Sequence, residues 1–290
     1  MGGAELTRKR SARMSSSRIK TLVVAALVLV NAFFLTVIIL DTVADARGER
    51  QAIENVCAVL RAGGIMIDPD DVVTGVAIRT MRTARVSEAE AQIARAVLGH
   101  AVLTEYGVIH VYDNPDRGYA EFSSAGVFEI RLNEGVVTNS TGTLRAVQRV
   151  LRDMRFETAE LVLAGEPGSE VVSTIGAYRG VSIFNCAIEF VFSGQSLEVI
   201  RGRHVAGIGL AEDGADLSQV GTALLGFLAE VRRESREDVS ATRIYGVEPG
   251  YQYRVVGSFG EGVLVPAWLV TADTGSYIID CETGEISLFA

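Results

Sequence analysis

Asp273-Thr274-Gly275-Ser276 matches the signature loop of aspartic proteases. That chemistry needs two such carboxylates sharing one proton and a long fold downstream, yet only fourteen residues follow Ser276. A hairpin turn between two strands accounts for the string better. Asp68-Pro69-Asp70-Asp71 offers oxygens to calcium, but the EF-hand order of acids, glycine and terminal glutamate is absent. A Pro-Asp turn is the expectation there. His100, His110 and His204 lack HxH or HxxxH spacing, and Cys57, Cys186 and Cys281 form no CxxC. The thiols, each among apolar neighbours, read as buried and free, with a Cys186–Cys281 bridge left open. Asn139-Ser140-Thr141 has the form of a glycosylation sequon, used only in a eukaryotic secretory pathway and otherwise a loop. No GxSxG, HExxH, Walker loop or GxGxxG occurs. The expectation is therefore a non-enzymatic chain with no cofactor and no metal.

Such residues need elements to hold them, and the first is a span. Thr21 to Leu40 is twenty residues without a charge, enough at 1.5 Å per residue to cross a hydrocarbon core of ~30 Å. Arg8, Lys9, Arg10, Arg13, Arg18 and Lys20 precede it against Glu5 alone, and Asp41, Asp45 and Glu49 follow. Basic residues at one end of a span keep that end in the cytoplasm. The expected layout is a basic cytoplasmic tail over 1–20, a transmembrane helix over 21–40, and an extracytoplasmic body. Ala44-Asp45-Ala46 has the form of a signal-peptidase site, but signal h-regions run about 7–15 residues, so a retained anchor is preferred. Asn31 falls mid-span, where an amide finds no water. A hydrogen bond to a neighbouring helix is worth ~0.6–2 kcal/mol there, so Asn31, flanked by Phe33 and Phe34, is the candidate partner-binding site.

The chain holds 27 basic and 36 acidic residues; without the tail these become 21 and 35, a net of −14 for the body. An acidic surface of this kind excludes nucleic acid and docking on anionic lipid. Periodicity then gives one recurring theme, an amphipathic helix followed by strands. Ile53, Val56, Cys57 and Leu60 share a helix face that ends at Gly63-Gly64, before strands near 65–67 and 72–80. Ser87 and Glu90 read as a capping box opening a second helix, which Gly99 stops. Strand-like runs follow at 101–112, 119–122 and 127–132. Leu144, Val147, Leu151 and Met154 mark a third helix, before strands near 160–164, 170–178, 183–192 and 197–205. A fourth helix is expected from Asp216, then strands at 243–247, 251–257, 263–271, 276–280 and 285–289. Helices between runs of sequential strands predict an α+β fold, helices on one face of antiparallel sheets. The polar stretch 133–143 divides the body into a first domain, 41–138, and a second, 139–290.

Arg18-Ile19-Lys20-Thr21-Leu22-Val23-Val24 and Leu27-Val28-Leu29-Val30-Asn31-Ala32-Phe33-Phe34-Leu35 resemble the N-terminus of the YycI family. Pro266-Ala267-Trp268-Leu269-Val270, Asp273 to Asp280, and Thr283-Gly284-Glu285 resemble that family's closing strands and are also similar to PepSY-type domains. The tail is longer than in that family, the Trp before its basic pair is missing, and Cys281 stands where a small residue is expected. The resemblance implies regulation rather than catalysis. YycI-like proteins are accessory partners of the essential cell-wall sensor histidine kinase of Gram-positive bacteria and act beside a YycH-like protein, through transmembrane and outer-domain contacts. Two alternatives remain: a PepSY-like exported module that binds or inhibits a protease or cell-wall factor, and an unfamiliar cell-wall hydrolase built on convergent carboxylates. The sequence names no small-molecule ligand.

Overall fold

The computed structural model describes Leu27, Asn31 and residues 48–211, 214–234, 242–257 and 261–289. The chain divides into two compact units, residues 1–52 and 53–290. In the first, the described residues Leu27, Asn31 and 48–52 are helical. Among the described residues no helix is long and apolar enough to cross a membrane. The expected span 21–40, apart from Leu27 and Asn31, lies outside them.

The second unit bears out the mixed α+β expectation: among the described residues, fourteen strands in one sheet, nearly all antiparallel, with helices packed on it. Its elements are helix α1 (residues 53–62), strand β1 (Met81–Thr83), α2 (Ser87–Leu98), and the meander β2 (Val102–Tyr106), β3 (Ile109–Asn114), β4 (Gly118–Phe122) and β5 (Val127–Leu132). There follow α3 (Thr143–Met154) and a second meander, β6 (Val162–Glu166), β7 (Ser169–Tyr178), β8 (Val181–Ser193) and β9 (Ser196–Arg203). After β10 (Gly209–Leu210) come α4 (Val220–Glu234), β11 (Ile244–Val255), β12 (Gly262–Ala272), β13 (Gly275–Asp280) and β14 (Ile286–Phe289). A helix followed by four strands thus occurs three times.

The first two copies join edge to edge. Their last strands, β5 and β9, pair antiparallel with Ile130 opposite Ile200, both fully buried. The result is the order β2-β3-β4-β5-β9-β8-β7-β6, with α2 and α3 sharing a core on one face. Ile93, Val97 and Leu98 of α2 meet Val147, Val150, Leu151 and Met154 of α3 there, above Phe122, Phe128 and Phe190. Each such side chain taken from water contributes about 1.5–3 kcal/mol. The 133–143 stretch is the loop from β5 to α3 with the first residue of that helix, and the sheet and its core continue across it. A second core lies between α1 and α4 and the strands β11–β13, with Leu60, Leu224 and Phe227 against Val247, Trp268 and Val270.

Four local expectations need correcting. Ser87 does not cap α2: the cap position is Val86, with no side-chain bond, and the Glu90 carboxylate is engaged elsewhere. The run 101–112 is a hairpin, broken at Gly107-Val108, where Gly107 adopts φ 66°. The stretch 72–80 makes isolated bridges instead of a strand. Helix α4 opens at Val220; Asp216 instead bridges and ion-pairs with Arg79 (2.7 Å) in extended backbone.

The two parts of the sheet meet through β8. One side of this thirteen-residue strand is laddered to β7; the other is divided, pairing with β9 from Ile188 to Ser193 and with β11 at Ile183. The β8–β11 contact is parallel, with Ile183 opposite Tyr251. Two glycines permit the transfer. A Cβ on Gly202 would stand 2.3 Å from the Ala187 carbonyl oxygen, where β9 leaves β8. A Cβ on Gly250 would stand 2.2 Å from Cζ of the Phe184 ring, whose far end packs against β11 there. Gly250→Ala is therefore expected to lower stability by about 1–3 kcal/mol, as overpacking does. Urea denaturation should show the loss, and Phe184→Leu added to it should restore part of the midpoint.

Candidate functional site

The residues singled out by sequence do not converge. Asn31 is helical and exposed; Phe33 and Phe34 lie outside the described residues. Asp273 and Thr274 form the two-residue turn of the β12–β13 hairpin, as the sequence reading expects. The Asp273 carboxylate accepts from the Thr242 hydroxyl and amide, which hold it below the usual carboxylate range. Asp68 caps a 3-10 turn over Pro69–Asp71 by accepting from the Asp70 amide. Among the described residues no group of His, Cys, Asp or Glu is arranged to hold a metal. The Asn139 amide donates to Glu170, as does the Thr143 hydroxyl, so the sequon residue is committed to tying its loop to β7.

The thiols are unpaired and poor nucleophiles. Cys57 is buried, and desolvation outweighs nearby Arg61 to raise its pKa. Burial pushes Cys186 up to about 12. Cys281 is raised by burial against a bond with Ser218. Thiolate is the reactive form, so none is activated at neutral pH.

Polar chemistry gathers instead at three places that sequence reasoning missed. The first is ionic and buried. Glu90, in the first turn of α2, receives Arg85 through both carboxylate oxygens (2.7 and 3.2 Å) and lies 2.6 Å from His110 Nδ1 on β3. Arg85 also donates to the carbonyls of Val108 and Phe122, and Glu105 approaches His110 Nε2 at 3.8 Å. Glu90 and His110 are both buried. This cluster ties α2 to the β2–β3 and β4–β5 turns. Nothing in it is free to act on a substrate.

The second is the closing turn. Asp280, buried at the end of β13, accepts from the amides of Glu282 and Thr283 and from Arg254. Burial acts to raise its pKa, but the Thr283 amide, Arg254 and the Glu282 amide together hold it low. The Asp280-x-x-Thr283-Gly284 string is therefore a device for turning the chain, Gly284 taking φ 72°.

The third lies on the sheet face opposite α2 and α3. A row of side chains in lateral register crosses four strands: Glu121, Glu129, Arg201 and Glu189, on β4, β5, β9 and β8. Arg201 pairs with Glu189 at 2.7 Å, and Glu129 with Arg131 at 2.6 Å. A groove of about 530 Å3 runs along this row to Asn185 and Arg203 at the β8–β11 seam. The Asn185 side chain donates to the Tyr253 carbonyl (2.7 Å) and accepts from the Tyr253 amide (2.8 Å). Arg203 lies over the Tyr253 ring, 5.3 Å from its centroid. The neighbouring His204 stacks on Phe156, rings 4.3 Å apart and 13° from parallel. Desolvation pushes His204 down to about 4, so it is neutral at pH 7.

No protein-family model and no curated protein matches the sequence. An uncharacterized protein from Eubacterium rectale ATCC 33656 is similar in structure at 9% identity and TM-score 0.44, over 78% of this chain and 93% of that one. The C-terminal domain of Bacillus megaterium YpeB is similar at 14% identity and TM-score 0.31, over 72% and 99%. Both scores are too low to assign a shared fold.

The depressed His204 has a consequence for stability. Unfolded, the imidazole takes a proton near pH 6.5; folded, only near 4. The unfolded state thus binds more protons between these values, and stability present above pH 6.5 is lost as pH falls toward 4. The loss is on the order of 2–3 kcal/mol. Urea midpoints from pH 7.5 to 4.5 should fall in wild type and fall much less in His204→Phe, which keeps the stacked ring.

Proposed function

We propose that the chain is a non-enzymatic accessory protein that binds other proteins outside the membrane and modulates a sensor histidine kinase. Residues 21–40 would anchor it, with the N-terminus cytoplasmic and the body extracytoplasmic. The kinase and a YycH-like protein, the partners implied by the YycI-like N-terminus, would be met in the bilayer through Asn31, Phe33 and Phe34. In this reading the PepSY-like ending supplies strands and turns of a binding module. A bound partner would bias the kinase only through contacts that differ between its states.

The observation that carries the reading is how the sheet ends. All five residues of the outermost strand β2 are exposed, with Val102 and Tyr106 each 65% exposed. Proteins blunt free edges with charged residues, lysine above all, or with proline, bulges or a covering segment; Val102-Leu103-Thr104-Glu105-Tyr106 has no lysine or proline, and its one charge, Glu105, lies 3.8 Å from His110 Nε2. Its pairing with β3 runs without a bulge. Edge β6 is likewise exposed throughout. Such edges accept a partner strand by backbone hydrogen bonding.

The test is to tag the N-terminus, crosslink living cells, solubilise membranes and identify what copurifies. A sensor histidine kinase should be recovered, several-fold less with Asn31→Leu and less with Tyr106→Lys, which places a charge on the free edge. Recovery of an exported protease or wall enzyme without a kinase would move the assignment to the PepSY-like alternative. Kinase recovery indifferent to both substitutions would overturn the proposed contacts.

A further inference from the structure

Within the reading as a protein-binding module, we infer that the open-face groove between β4 and β8 takes an extended partner peptide by its charges. An acidic side chain meets Arg203, and a basic one four positions away meets Glu121.

Charge matching inside the groove isolates these two residues. Glu189 and Arg201 neutralise each other, and Glu129 is held by Arg131. Arg203 and Glu121 have no ion pair or hydrogen bond among the described residues. Arg203 is half-buried, its Nε is shut from solvent without an acceptor, and its guanidinium packs over the Tyr253 ring. A guanidinium already immobilised loses little further freedom when it binds a planar carboxylate through its remaining N–H groups. Glu121 is exposed and stands directly opposite Glu129 across the β4–β5 pair. Arg131 already compensates Glu129, which leaves Glu121 as the carboxylate open to an incoming cation.

Register sets the spacing of the partner's charges. Glu121 aligns with Glu129, and Glu129 with Arg201, so β4 and β9 are two strand spacings apart. Arg203 is two residues beyond Arg201 along β9. With strands about 4.8 Å apart and about 3.3 Å per residue, the two backbone positions are roughly 12 Å apart. An extended peptide covers that distance in about four residues, and residues four apart project from the same side. The groove, about 530 Å3, holds a few side chains. It lies away from the β2 edge, so occupancy here does not depend on strand addition there.

The test measures fluorescence anisotropy of labelled heptapeptides with the full chain in detergent. One peptide carries aspartate and lysine four positions apart in a threonine–valine background. A second places them two apart, and a third carries asparagine and glutamine in their place. The first should bind at least tenfold tighter than the other two. Arg203→Gln should reduce the preference for the charged peptide over its amide counterpart about tenfold, and Arg203→Lys should keep part of it. Glu121→Gln, at an exposed position, should also reduce that preference. Equal binding of all three peptides, binding unchanged in the variants, or no binding at millimolar protein would each overturn the inference. Kinase copurification is read separately, so failure here leaves the accessory-protein reading standing, and failure there leaves the groove's result intact.

Discussion

The body of this protein is two antiparallel sheets held as one by a short seam, and the seam rests on a side chain imitating a peptide bond. Strand β11 touches β8 as a paired strand only where Tyr251 faces Ile183. Two residues on, the Asn185 carboxamide supplies both the donor and the acceptor that a neighbouring backbone would offer Tyr253. Each bond is worth about 1 kcal/mol net, but removing the amide leaves two half-buried backbone groups unmet at about 1–3 kcal/mol apiece. Nearby features are arranged around this joint. Gly250 lets Phe184 lie on β11, and Gly202 lets β9 leave β8 while β11 takes its place.

The joint also orders the surface beside it. Tyr253, held by Asn185, presents the ring on which the Arg203 guanidinium rests. The lateral row from Glu121 to Glu189 depends on the β5–β9 pairing, with Ile130 against Ile200 beneath it. Groove and seam therefore share one scaffold. The buried Arg85–Glu90–His110 cluster plays a different part. It fastens α2 to the turns of its own meander, with charges that satisfy one another.

Much of the architecture is legible in the residues. The apolar stripes of α1, α2 and α3 are where spacing puts them, except that Leu144 at the start of α3 is exposed, and the recurrence of a helix followed by strands is real. What escapes has identifiable causes. Glu90 fits a capping box by spacing alone, but Arg85 and His110, five and twenty residues away, compete for its carboxylate and win. Asp216 likewise pairs with Arg79, 137 residues earlier, and lies outside α4. Helix α3 ends on Arg155 in the left-handed conformation, with no glycine to mark the stop. At the candidate site almost nothing was visible. Arg203, Glu121 and Asn185 belong to no motif, and only strand register brings them to one groove. The one usable signal was period two: Arg201 and Arg203, or Glu129 and Arg131, spaced to share a face of a strand.

Nesting of the chain carries a consequence for how it folds. Residues 87–203 leave and return at one point, where the Ala84 amide bonds to the Ala206 carbonyl and Gly207 packs on Ala84. That inner segment has its own core and can close once β9 has been synthesised. Helix α1 and strand β1 come earlier in the chain, yet their partners α4, β11 and β12 are made last. At about 5–20 residues per second, the earliest apolar face waits on the order of ten seconds or more for its cover. The inner segment would then be the template on which the first and last parts of the chain find each other, and α1 the surface most in need of a chaperone until they do.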